Sequence, residues 1–468
     1  MSRVAVRVAG SFRDPAGYMF SVGDELYRAV TDVGLGDLEL LESSGLYDNL
    51  VSAGMLVSHE DCDLSLVSAD HGSVAEVRRV IRPDLVPYVS YPYEWTFSQL
   101  QDAALLTLDV CLRALDRNMV LRDASAYNIQ FVGCSPVFID TLSFKRYEPG
   151  SPWVAYRQFC QHFLCPLAVI SKVDVGLGRI LRGYVDGMPL SMASHLLPAR
   201  TRLNLGLLAH VHLHAQAQSR YSQDSERARK TMLPKSSLVA LLLNLRSTVS
   251  RLSWGAGGTE WAKYYGATNY SDDAMGAKRE IVRDMVGSVS PTMTWDLGAN
   301  TGSFSDIAAE HGSYVVAFDI DPSAVETGYL SGRKAGNRLR LPLLLDLMNP
   351  SPNIGWALRE RDAWVDRGRP DLVLALALVH HLAIGNNLPL PDVAAFFAGI
   401  APSLVIEFVP KEDDQTQKLL AARRDIFPSY RIEGFLSAFG RFFEVAAKVH
   451  VPGTLRTVFL MHRKAQPQ

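Results

Sequence analysis

Asp296, Gly298 and Gly302 stand in the run Trp295-Asp296-Leu297-Gly298-Ala299-Asn300-Thr301-Gly302, and Asp319 follows Gly302 by seventeen residues. An acid about 20 residues beyond a glycine turn can accept both hydroxyls of a ribose. Asp296, which opens the turn, suits a cofactor carrying a charged amino group and argues against a dinucleotide. Gly298 and Gly302 lack a Cβ, so the backbone can turn tightly and a ligand can approach. The helix that follows points unpaired N–H groups at the same place. The elements that must hold these residues are legible around them. An apolar run enters the turn and a helical pattern leaves it, before a second apolar run, Tyr314 to Phe318, ends in Asp319-Ile320-Asp321-Pro322. That order predicts strand, turn, helix and strand.

On these residues the C-terminal half resembles the class I S-adenosylmethionine-dependent methyltransferases. The resemblance implies that Asp296, Gly298 and Gly302 cradle the methionine half of S-adenosyl-L-methionine, that Asp319 takes its ribose, and that Ala299, Asn300 and Ile320 also belong to the cofactor site. Leu339 to Leu345 reads as a third strand tipped by Asp346-Leu347, the family's place for contact with adenine. Asp371 to Leu378 reads as a buried fourth strand ending in Val379-His380-His381, and Leu404 to Val409 as a fifth containing Glu407. Phe443 to Val451 and Leu455 to Met461 make the terminal antiparallel pair of that fold. The expectation is a Rossmann-like α/β domain with a seven-stranded mixed sheet.

Methyl transfer from a sulfonium needs in-line approach of the acceptor, and removal of a proton where the acceptor is a hydroxyl or ammonium. A His titrating near neutrality suits that task, so His380, His381 and Glu407 are the candidate catalytic residues. One His could equally be buried under the rim. The fourth strand lacks the Asn-Pro-Pro-Tyr ending of enzymes that methylate exocyclic base amines or glutamine. A small-molecule, glycan or natural-product acceptor fits better, and residues 294 to 468 resemble a bacterial group with nodulation-type relatives. Trp261, Tyr264, Tyr265, Asn269 and Tyr270 precede the motif, where they would either cover the cofactor or pack the helix predicted over 272–286.

A second constellation lies upstream: Asp123 and Asn128 in Val120-Leu121-Arg122-Asp123-Ala124-Ser125-Ala126-Tyr127-Asn128, then Asp140 after Pro136-Val137-Phe138-Ile139. Such a trio could orient a hydroxyl and hold magnesium on ATP phosphates. The spacing resembles the catalytic loop and metal-binding Asp of the protein kinase and aminoglycoside phosphotransferase superfamily. Departures are plain: Leu121 replaces its His, Asp140-Thr141-Leu142 lacks Phe-Gly, no glycine-rich loop precedes, and Arg28 is the nearest stand-in for the phosphate-binding Lys. Three readings follow for this α+β kinase-like half. It recognises the acceptor, it phosphorylates it before methylation, or it is a pseudokinase scaffold; otherwise the three polar residues only cap turns.

The 468 residues call for two domains. We expect 1–214 to be the kinase-like domain, 215–255 a basic linker and packing helix, and 256–468 the methyltransferase domain. A net charge of -2 argues against a global nucleic-acid surface. The five cysteines form no C-x-x-C pair, which argues against zinc and a disulfide framework. His210-Val211-His212-Leu213-His214 would put only His210 and His214 on one helical face, without an adjacent acid or Cys, so a metal site is not expected there. The start lacks a leader pattern and no apolar run is long enough to span a membrane, from which a cytoplasmic protein is expected. The sequence leaves the oligomeric state open.

Overall fold

In the computed structural model, residues 4–67, 76–221, 234–255, 271–421 and 424–465 are described. The chain divides into two units. The first comprises 1–131, 136–254 and 352–362, and the second 132–135, 255–351 and 363–468.

The first unit begins with an antiparallel sheet in the order β1-β2-β3-β5-β4: β1 (Ala5–Arg7), β2 (Gly17–Val22), β3 (Glu25–Thr31), β4 (His59–Cys62) and β5 (Val77–Pro83). The tight β2–β3 connection pairs Val22 with Glu25 across Gly23, whose φ of 65° few other residues adopt. Alternation along β2 and β3 turns Tyr18, Phe20, Tyr27 and Ala29 into one apolar cluster with Val80 of β5. Val86 to Ser90 is irregular. Ser90 donates its N–H to Gln130 Oε1 at 2.8 Å and accepts from Gln130 Nε2 at 3.0 Å, so a side chain replaces a neighbouring strand.

Thr96 caps the helix Phe97–Asp116 reciprocally with Gln99, and thirteen of its residues are buried. The helix Lys235–Ser250 belongs to this same unit. It is tied there by Gln101 Nε2, which donates to the carbonyls of Val249 and Leu252 at 2.8 Å, and by Arg246 to Asp109 at 2.7 Å. Short strands β6 (Met119–Leu121), β7 (Ile129–Val132), β8 (Ser135–Phe138) and β9 (Phe144–Arg146) frame the loops carrying Asp123, Asn128 and Asp140. Two π-helical turns follow, Cys160–Leu164 and Leu208–Leu213. In the second, the histidines are engaged by neutral neighbours: His210 by Tyr156 and Asn244, His212 by Ser194 and Thr201, and His214 by the stacked ring of Tyr156.

The second unit is built on a seven-stranded mixed sheet of order β12-β11-β10-β13-β14-β16-β15. Its strands are β10 (Met293–Leu297), β11 (Tyr314–Asp319), β12 (Arg340–Leu344), β13 (Leu372–Ala375), β14 (Ser403–Phe408), β15 (Phe443–His450) and β16 (Thr457–Arg463). β10 to β14 run parallel and β16 lies antiparallel between β14 and β15. β11, β13 and β14 are buried at every residue, as parallel strands covered on both faces must be. β13 is shorter than the expected Asp371 to Leu378. The chain leaves the sheet after Ala375, and Ala377 adopts a φ of 50° that a strand cannot contain. No helix among the described residues is long and apolar enough to cross a membrane.

Candidate functional sites

In the second unit, strand order reverses between β10 and β13, and open α/β sheets bind ligands beyond the carboxyl ends of strands at such a point. Asp296 and Asp319 stand at two of those ends. The turn between them is shaped by three left-handed residues: Gly298 (φ 80°), Asn300 (φ 53°) and Gly302 (φ 91°). Gly298 and Ala299 donate their N–H groups to the Phe318 carbonyl at 2.9 Å, which ties the turn to β11.

Asp319 accepts from the N–H of Asn300 at 2.7 Å on one oxygen and from that of Asp321 at 2.9 Å on the other. The Ile320 N–H also reaches this carboxylate, and since a carboxylate has about four lone-pair sites, capacity remains for a ribose hydroxyl. Asp296 is buried and accepts from the Ser305 hydroxyl at 2.6 Å. Burial, followed by the nearby Asp319 charge, pushes its carboxyl up to about 7. A carboxylate so short of positive charge fits the ammonium of a methionine-type cofactor, and no Cβ stands on Gly298 to crowd the approach. Asp346 anchors its own turn, accepting from the Met348 N–H at 2.9 Å, and Leu347 next to it and Ile320 next to Asp319 are both half-buried.

Arg340, at the start of β12, is the residue that the sequence reading missed. Its guanidinium donates to the carbonyls of Thr301 (3.2 Å), Gly302 (3.3 Å) and Gly328 (2.9 Å) and to Asp306 (3.1 Å). A Cβ on Gly302 would overlap that guanidinium, so Gly302 is demanded by Arg340 and by its φ rather than by ligand approach. Nothing in the local pattern Leu339-Arg340-Leu341 marks this arginine as inward-facing.

On the other side of the switch point, His380 is buried, and its Nδ1 has no partner among the described residues. Burial holds its pKa well below the ordinary value, with further lowering from His381, Arg456 and Lys278. The His381 ring lies 4.2 Å from it, and burial and then Arg456 lower its pKa too. Both imidazoles are therefore neutral at pH 7, the state a proton acceptor needs. Glu407 is differently placed: it is fully buried, 2.7 Å from Lys278 Nζ and 3.9 Å from Arg456, which also holds Asp413 at 2.7 Å. Its carboxylate thus fastens the helix Asp272–Val289 to β14. Trp261, Tyr264, Tyr265, Asn269 and Tyr270, and most of the basic stretch near 215–235, lie outside the described residues.

An open cavity of about 470 Å³ in the first unit brings Asp123, Asn128 and Asp140 together, with Arg28 on β3. Arg28 lies 2.5 Å from Asp140 and 3.6 Å from Asp14, and Arg122 lies 2.9 Å from Asp14. Burial pushes Asp140 up, but Arg28 and then the Ser143 hydroxyl outweigh it and hold its pKa below the ordinary value. Asn128 reaches the same Ser143 at 3.1 Å. Asp123 accepts from the Ser125 N–H at 2.8 Å, and burial raises its pKa. Among the described residues, no group of three or more His, Cys, Asp or Glu is placed to hold a metal ion. Glu360 and Arg361 also line the cavity, from a segment far along the chain that the sequence reading did not associate with it.

No family model matches the chain. Structures to which it is similar include magnesium protoporphyrin IX methyltransferase from Synechocystis PCC 6803 with bound SAH (18% identity, 44% of this chain, 93% of that one, TM-score 0.31). N-methyltransferase NodS from Bradyrhizobium japonicum WM9 is another (10% identity, 42% and 99% covered, TM-score 0.30). The bifunctional kinase-methyltransferase WbdD is a third (11% identity, 45% and 43% covered, TM-score 0.29). In sequence the chain is 39% identical over 463 residues to nodulation protein NoeA of Rhizobium meliloti strain 1021, covering 98% of this chain and 96% of that protein. A match of that identity along both units, rather than over one of them, places the chain in the nodulation protein NoeA family.

Proposed function

We propose that the chain is an S-adenosylmethionine-dependent methyltransferase whose acceptor is a small molecule, glycan or natural-product intermediate, recognised by the first unit. The observation that carries this reading is the pair Asp296 and Asp319 at adjacent strand ends, joined by a left-handed glycine turn at the point where the sheet order reverses. When bound, the cofactor supplies an electrophilic methyl group on a sulfonium. Asp296 would hold its ammonium, Asp319 its ribose, and Asp346 with Leu347 the adenine. His381 would take the proton of a hydroxyl or ammonium acceptor as that acceptor receives the methyl group, with His380 packed behind it.

Calorimetric titration with S-adenosylhomocysteine tests the cofactor assignment. The parent should bind and Asp319→Ala should bind at least tenfold more weakly, since the variant loses the ribose acceptor. Equal affinity would sink the assignment.

A second reading, phosphorylation of the acceptor before methylation, is favoured by the shared cavity of Asp123, Asn128, Asp140 and Arg28. The Arg28 guanidinium on Asp140 counts against it, because a metal would have to displace that partner. Titration with ATP and magnesium beside Asp140→Ala decides between the two.

A further inference from the structure

We infer that the cavity of the first unit binds an uncharged, hydroxyl-rich ligand of the sugar class, with the segment 352–362 as one wall. This rests on the acceptor-recognition reading above and gives the ligand a chemistry.

The first argument is charge. Four arginines and five carboxylates line the cavity, a formal balance of minus one, and the arginines are already opposed. Arg13 lies 2.8 Å from Glu360, Arg28 and Arg122 share Asp14, and Arg361 lies over the ring of Tyr127, 4.1 Å from its centroid. A phosphate would compete with these carboxylates for the arginines, and a magnesium ion would compete with Arg28 for Asp140. A sugar hydroxyl does neither. It donates to a carboxylate and accepts from a guanidinium, and the pairs already hold both groups in place for it.

The second argument is His162, which the trio reading did not use. It lines the cavity from the π-helical turn Cys160–Leu164 and is 4% exposed. The Tyr127 ring meets it edge-on at 6.0 Å. Burial, then Arg361, lowers its pKa to about 4, so the ring is neutral and offers one donor and one acceptor to neighbouring hydroxyls. An imidazole on the cavity wall can thus take part in hydrogen bonds to a hydroxyl-rich ligand, and π-helical turns often mark functional sites.

The third is the wall. Segment 352–362 follows β12 in sequence yet belongs to the first unit. Ile354 bridges Arg361, Glu360 accepts from the Trp356 N–H at 2.7 Å, and the Asp362 N–H donates to Tyr91 Oη at 3.0 Å. Ala357 and Leu358 are consecutive non-glycine residues at φ of 54° and 57°. Backbone strain of that kind persists where surrounding contacts impose it, here by fixing Glu360 and Arg361 at the cavity. The volume of about 470 Å³ is in the small-molecule range.

The test is saturation-transfer NMR on the full chain with glucose, mannose, galactose, N-acetylglucosamine and their β-1,4-linked disaccharides, each with and without ATP and magnesium. At least one sugar should bind saturably, unaffected by ATP. Binding should weaken about tenfold or more in His162→Ala and in the isosteric Asp123→Asn, and recover in part in His162→Gln. Thermal melts confirm folding, and Asp123→Asn keeps the test open if His162→Ala does not fold. Absence of binding by every sugar overturns the inference, as do displacement by ATP and affinities unchanged in both variants. S-adenosylhomocysteine titrated into the same samples separates the two claims: sugar failure with this binding intact removes only the cavity assignment, and the reverse removes only the methyltransferase reading.

Discussion

Arg340 occupies the space that a side chain on Gly302 would need, and in doing so it clamps the turn between β10 and the following helix. The guanidinium is the far end of a flexible side chain, but it is buried and held by three carbonyls and Asp306, so it cannot swing aside at little cost. Gly302→Ala adds a left-handed φ that alanine resists. We expect a destabilisation of about 2–4 kcal/mol from strain and overpacking together. Removing the guanidinium relieves the overlap, so Gly302→Ala with Arg340→Met should cost less than the sum of the single variants. Chemical denaturation of the four proteins measures this, and strict additivity would remove the clamp.

Asp296 makes cofactor binding depend on pH. Its carboxyl titrates at about 7 in the ligand-free protein because it is buried and faces Asp319. An ammonium binds the ionised form, so lowering the pH below 7 protonates the site. The affinity for S-adenosylhomocysteine should then fall by up to tenfold per pH unit, and be flat above about 8. Asp296→Asn should bind weakly throughout and lose this slope. A parent profile that is level from pH 6 to 8 would show that Asp296 does not face the ammonium.

What the sequence made legible follows from how local each signal is. The β10 turn could be read because its glycines, its opening acid and the acid ending β11 lie within 24 residues of one another. Arg340 was invisible, since its partners lie on the glycine turn and the next helix and no pattern along β12 reports them. Glu407 looked like a rim acid because it ends a strand. Only the fold brings Lys278 and Arg456 to it. Glu360 and Arg361 could not have been assigned, because a segment between two strands of one unit is folded into the other.

That buried triad gives a test between two roles for Glu407. Glu407→Gln leaves the Lys278 ammonium and the Arg456 guanidinium with less compensation in a buried setting, where burial already lowers the Lys278 pKa. Breaking a buried pair from one side costs about 3–5 kcal/mol. We expect that loss by chemical denaturation, with S-adenosylhomocysteine still bound by the fraction that remains folded. Full stability with methyl transfer abolished would instead make Glu407 a catalytic acid or base.

Arg28 and Asp140 supply a pH-dependent counterpart in the first unit. The folded-state pKa of Asp140 is held below the ordinary value by Arg28 and Ser143 against the effect of burial, so the stability it contributes is present above about pH 4 and is lost as the pH falls through the folded value. In Arg28→Met, burial acts with far less opposition and the carboxyl rises. Ionising it then costs stability at neutral pH, and protonating it removes that cost. The variant should therefore be less stable than the parent by about 2 kcal/mol or more at pH 7, and the gap should narrow as both are taken toward pH 3. Denaturation midpoints across that range measure it. A gap that stays constant with pH would mean that Arg28 acts through packing alone, and that Asp140 is free to take another cation.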